Sequence, residues 1–141
     1  MKLVPLVSTG GNHSPSDWAQ ATTSIIFQSD NPAADVVRQH IIDALEFSYG
    51  EIIDMERALL ADDPEHCAKP YDISFFADVS ACLCQNAARD TPFVLSDEWK
   101  DAAFQTIGNH FVTAVHIERL LFAEQHPENT AAVAYHDRFH K

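Results

Sequence analysis

The sequence predicts an all-α protein: a compact helical bundle of about five helices, two of them long, behind a short extended N-terminal arm. Three observations carry this reading. Cap-plus-proline signatures, Ser14-Pro15 and Asn31-Pro32, stand ahead of apolar-periodic segments. Two long segments repeat apolar residues at spacings of three and four. Only four glycines occur in 141 residues, and none forms a Gly-rich strand-turn-helix unit. That argues against dinucleotide-binding and P-loop folds.

Residues 1–13 read as the arm. Met1-Lys2-Leu3-Val4-Pro5-Leu6-Val7 starts like a signal peptide, but Pro5 breaks its apolar stretch and Ser8-Thr9-Gly10-Gly11 ends it too early. Strand propensity is confined to Leu3–Val7 and to Phe93–Leu95. The first helix is expected from Pro15 to about Gln28, with Ser14 as cap and Asp17 in the first turn. The second should run from Pro32 to about Ala61. Its stripe, Val37, Ile41, Ala44, Ser48, Ile52, Met55 and Leu59, recurs at spacings of 4, 3, 4, 4, 3 and 4. Gly50 interrupts this helix and is a candidate bend.

A loop over residues 62–72 follows. The third helix is expected from Ile73 to Arg89, capped by Asp72 or Ser74, with Phe75, Phe76, Val79, Cys82, Leu83 and Ala87 on its buried side. Ser96 caps a fourth helix running to about Gln125, with Asp97 and Glu98 at its positive end. Its stripe is Ala103, Ile107, His110, Ala114, Ile117 and Leu121, broadened by Phe104, Phe111, Val115 and Phe122. A fifth helix should cover about Glu128 to Phe139. With no internal repeat or linker, residues 1–141 read as one domain. The expected core includes Ile41, Leu45, Ile52, Leu59, Phe76, Ile107, Phe111 and Leu121.

Charge narrows the function classes. Twenty-one acids face nine bases, a net charge of −12. Residues 1–70 hold eleven acids and four bases and residues 71–141 hold ten and five, so the excess is spread through the chain. Direct nucleic-acid binding needs a basic footprint and is disfavoured. Anionic membrane surfaces are disfavoured for the same reason. No apolar run approaches the roughly 20 residues of a membrane span. Three cysteines, Cys67, Cys82 and Cys84, do not make a disulfide framework. Reduced thiols in a cytoplasmic protein are the expectation.

Several residues could carry chemistry. His136 and His140, four apart on one helix face, have a spacing used by metal ligands, although H-E-x-x-H is absent. Solvated terminal histidines are the plainer reading. His110 and Glu118 share a face two turns apart, which supports catalysis only if a partner helix completes the site. The plainer reading seats His110 at a helix seam and pairs Glu118 with a base, either Arg57 or one among the neighbours of Arg119. Glu-x-x-His, the signature of carboxylate-bridged metal bundles, does not occur. His66, Cys67, Cys82 and Cys84 have zinc-ligand atoms at the wrong spacing.

The second helix has the most coherent polar face. Asp43, Glu46, Gly50 and Asp54 recur at i, i+3, i+7 and i+11, flanked by Asp35 and Glu51. Such a row suits Arg/Lys grooves that otherwise hold phosphates, and equally an ordinary solvated face. The expected function is therefore non-catalytic: an acidic helical protein, without cofactor, that uses Asp43, Glu46 and Asp54 to engage a basic surface on a partner protein. Inhibition or regulation of a nucleic-acid-handling protein is the most concrete form of it. The alternative is a metal-dependent enzyme or sensor using the C-terminal histidines.

Overall fold

The computed structural model describes residues 14–139. These residues are 78% helical, with no strand among them. The expected arm, the strand signal of Leu3–Val7 and His140 lie outside the described residues. Five α-helices follow one another: α1 (Pro15–Ile26), α2 (Ala34–Asp62), α3 (Ser74–Ala87), α4 (Asp97–Gln125) and α5 (Thr130–Phe139). A short 3-10 helix, Pro64–Ala68, links α2 to the loop before α3.

Local chemistry explains most of the boundaries. Ser14 Oγ accepts from the Asp17 amide while the Asp17 carboxylate accepts from the Ser14 amide, a reciprocal cap on α1. Ser96 caps α4 by accepting from Trp99 N at 3.1 Å. Two expected caps move. Asn31 and Pro32 form a turn in which Asn31 Oδ1 accepts from Ala33 N, so α2 starts at Ala34. Asp72 reaches Ser74 N only at 3.4 Å, and the cap position of α3 falls on Ile73 without a side-chain bond. Asn129, unremarked in the sequence, caps α5 through Ala132 N. Phe93–Leu95 is an irregular connection and not a strand.

α4 is the central rod. α1 runs antiparallel to it, with Trp18 against His110 at one end and Trp99 Nε1 donating to the Ile26 carbonyl at the other. α2 runs parallel to it: Tyr49 meets Phe111 with ring centroids 4.4 Å apart, and Glu56 meets Arg119 about two turns onward. α3 closes the other side in the opposite direction, with Ala77 beside Gly108 and Gln85 bonded to Asp97. The main core contains Trp18, Val37, Ile41, Leu45, Tyr49, Ile52, Ile107 and Phe111. A second, smaller core of Leu60, Cys67, Ala123, Ala132 and Tyr135 seats α5 and the 3-10 helix on the ends of α2 and α4.

Two stripes differ from expectation. On α2 the buried face is Val37, Ile41, Leu45, Ser48, Tyr49, Ile52, Ile53, Glu56 and Leu60. Met55 and Leu59 are exposed. At about 100° per residue, the true stripe is turned by roughly 60°. The turn admits Tyr49 and Glu56, which the apolar count ignored.

On α3 half of the expected face turns outward, while Phe76, Cys82 and Ala87 stay half-buried. Ala77, Ser80, Ala81 and Cys84 face inward, and Phe75, Val79 and Leu83 face out. Small side chains let α3 lie close against its neighbours, where Phe75 would have held it off. Phe76 and Leu121, expected in the core, are half-buried. α2 passes through Gly50 as one unbroken helix.

Three substitutions test this register by chemical denaturation. Phe111→Ala should lose about 3–5 kcal/mol, because it opens a cavity in the main core. Leu60→Ala should cost clearly more than its exposed neighbour Leu59→Ala. Gly50→Ala should add about 1 kcal/mol, since a Cβ there would sit 3.9 Å from Pro15 Cγ, an ordinary contact.

Candidate functional site

Two polar clusters are sealed inside the bundle. In the first, Thr22 of α1 gives its single hydroxyl proton to the Trp18 carbonyl. Tyr49 OH and His110 Nδ1 both lie 2.6 Å from the same Thr22 oxygen. Both must therefore donate, which assigns His110 the Nδ1–H tautomer. Burial pushes the Tyr49 phenol up and the His110 imidazole down. His110 is a seam residue here. Glu118 lies about 12 Å further along α4 and bonds Arg57 instead, so the two form no catalytic pair.

The second cluster centres on Arg119, which is 2% exposed. Its Nε donates to Glu56 Oε2 at 2.8 Å, and its Nη1 donates to the carbonyls of Cys67 and Lys69. The guanidinium lies over Tyr71 at 4.5 Å and Tyr135 at 5.6 Å. His66 Nε2 is 3.0 Å from Glu56 Oε1 and 3.4 Å from Arg119 Nη2. The shorter contact makes that nitrogen a donor to Glu56, and the arginine merely packs against it. Near by, His116 Nδ1 is bonded by Tyr135 OH at 2.6 Å and Tyr71 OH at 3.1 Å.

The acidic row is where its spacing placed it. Asp43, Glu46 and Asp54 are all exposed on α2, along with Glu51. Together with Pro15, Phe47 and Gly50 they line a shallow, open depression of about 510 Å³. Gln39 donates to Asp43. None of the four carboxylates enters an ion pair among the described residues. The sequence reading passed over Phe47, which stands 64% exposed among them. Its signal was available: it lies one turn from Asp43, opposite the buried stripe.

A separate cleft of about 370 Å³ opens where α2 and α4 end. Arg57, Leu60 and Ala61 line it from α2, with Glu118, Leu121, Phe122, Gln125 and His126 from α4 and its cap. Arg57 bonds Glu118 through Nε and Nη2 at 2.8 and 3.2 Å, the pairing the sequence suggested. That carboxylate pushes the Arg57 guanidinium up, with a small push from Asp54.

His136 Nε2 is 3.4 Å from Glu124 Oε2, and its expected partner His140 lies outside the described residues. No group of three His, Cys, Asp or Glu suited to a metal exists among the described residues. Cys67 and Cys84 are buried in different cores, and Cys82 is half-buried. Burial pushes the Cys67 thiol up and the Cys84 thiol up to about 12, away from thiolate chemistry at neutral pH.

Two measurements probe the sealed clusters. Arg119→Leu should cost about 3–5 kcal/mol, because it strands the Glu56 carboxylate, and Arg119→Leu with Glu56→Leu should recover much of that loss. His110, held below its ordinary pKa, takes up its proton more readily in the unfolded chain. Its contribution to stability is therefore intact above about pH 6.5 and shrinks as pH falls below it. His110→Gln should flatten that part of the acid-side decline in a pH series of denaturation curves. Compared with known proteins, the chain matches no family model, no curated protein and no solved structure.

Proposed function

We propose that the protein is a non-catalytic binding protein that engages a basic surface of a partner protein through the outer face of α2. The observation that carries this is the row of unpaired carboxylates, Asp43, Glu46, Glu51 and Asp54, set around the exposed ring of Phe47. Carboxylates held in no ion pair among the described residues, with only the Gln39 amide on Asp43, are available to a partner's Lys and Arg side chains. The aromatic ring supplies apolar area that charge alone lacks, in the manner of an interface anchor. Gly50 leaves the helix backbone approachable beside it. Net charge of −12 adds long-range attraction for a basic protein and repels bare nucleic acid. A protein whose basic groove ordinarily holds phosphate fits this face best, so occlusion of that groove is the regulatory outcome the chemistry favours. No cofactor enters this reading.

The test is a titration, at two salt concentrations, against the basic partner recovered from the host. The triple variant Asp43→Asn, Glu46→Gln and Asp54→Asn should bind at least about tenfold more weakly at low salt, with a shallower salt dependence. Its stability should change by less than about 1 kcal/mol per site, because exposed charges contribute little to folding. Phe47→Ala should weaken binding at both salt concentrations. Equal affinities for wild type and the triple variant, with no salt dependence, would leave this face as plain solvated surface.

A further inference from the structure

We infer that the cleft between the ends of α2 and α4 is a binding site for a small organic cation, a primary ammonium carried on an apolar body, whose charged end is received by Glu118. This reading is independent of the acidic face of α2. Five observations bear on the ligand's chemistry. Leu60, Leu121 and Phe122 give the cleft an apolar floor. Its volume, about 370 Å³, falls within the range of small-ligand sites.

The Glu118 side chain is only 10% exposed, yet its partner Arg57 is 59% exposed. A sheltered carboxylate thus faces the cleft and is satisfied by a largely exposed surface guanidinium, which a ligand ammonium can replace. Finally, α2 and α4 run parallel, so both present their negative ends here, and neither has a basic residue in its last turn. The rings of Phe122 and His126, 4.3 Å apart, complete a wall suited to an aromatic or cationic group.

The field sets the sign of the ligand. An anion would meet Arg57 but also Glu118, Glu128 beside His126, two helix carboxyl ends and the net charge of the chain. A cation meets Arg57, with the His126 imidazole in the wall and the amino end of α5 beyond it, and Arg57 is exposed enough to swing into water. Arg57 is therefore the intramolecular occupant of the ammonium position and competes with the ligand.

The experiment is a chemical-shift titration of the whole protein with phenethylamine, with 2-phenylethanol and phenylacetate as neutral and anionic matches. Phenethylamine should bind saturably, with shifts confined to Leu60, Leu121, Phe122 and Gln125, and the two controls at least about tenfold more weakly. Arg57→Ala should tighten phenethylamine by about tenfold, because its competitor is gone. Glu118→Gln should erase the preference for the amine over the alcohol. If Glu118→Gln perturbs the fold, Leu121→Trp fills the cleft from a half-buried position and should abolish binding with the rest of the spectrum unchanged. Phenylacetate binding as tightly as the amine, weaker amine binding by Arg57→Ala, or no saturable shift would each overturn the assignment.

Discussion

A guanidinium cut off from water constrains this fold more than any apolar contact does. Arg119 cannot lose its charge, so every surrounding element is arranged around it. Glu56 must face inward to meet it. That requirement turns the last third of α2, which carries Leu60 into the small core and Leu59 to the surface. The carbonyls of Cys67 and Lys69 must also point at it, which pins the chain leaving the 3-10 helix. Tyr71 and Tyr135 cover its faces, and Tyr135 brings α5 along. Burying two ions costs several kcal/mol each before their attraction is counted, so the cluster holds only because nearly every donor has an acceptor. Its contribution is to fix one arrangement of four segments that the small apolar core alone would leave under-determined.

The large core works by a different rule. Here α3 approaches through Ala77, Ser80 and Ala81, and Ala77 touches α4 where Gly108 has no side chain. Small-on-small contact permits a short interaxial distance, and dispersion between backbones replaces side-chain interdigitation. Among the described residues one buried side-chain atom is left over: the Ser80 hydroxyl has no hydrogen-bond partner there. The aromatic side of the core, by contrast, is satisfied throughout, since Thr22 accepts from both Tyr49 and His110 while capping the Trp18 carbonyl.

How much of this was legible follows from what each signal measures. Caps with side-chain oxygens beside a periodic segment, Ser14 and Ser96, predicted helix starts well, because the bond they make is local. The Asn31-Pro32 signature missed by two residues, since Asn31 can serve a turn as readily as a helix. Apolar periodicity found α4 and most of α2. It failed on α3, where size and not polarity decides which face goes inward: Phe75 and Ala77 are both apolar, and only the neighbours' proximity chooses between them. The acidic row was visible because its spacing is a property of one helix. The cleft and the Arg119 cluster join residues some sixty positions apart. Of those pairings only Arg57 with Glu118 was suggested beforehand, and nothing in the string marks Arg119 as different from any surface arginine.

The outward stripe of Phe75, Val79 and Leu83 has a colloidal consequence. Near neutral pH, mutual repulsion between chains carrying −12 keeps such patches apart. The charge vanishes near pH 4.8, and there the same patch meets its copies without a barrier. The acidity of the chain is thus the condition under which a helix seated by its small residues can leave its large ones on the outside and still stay dispersed.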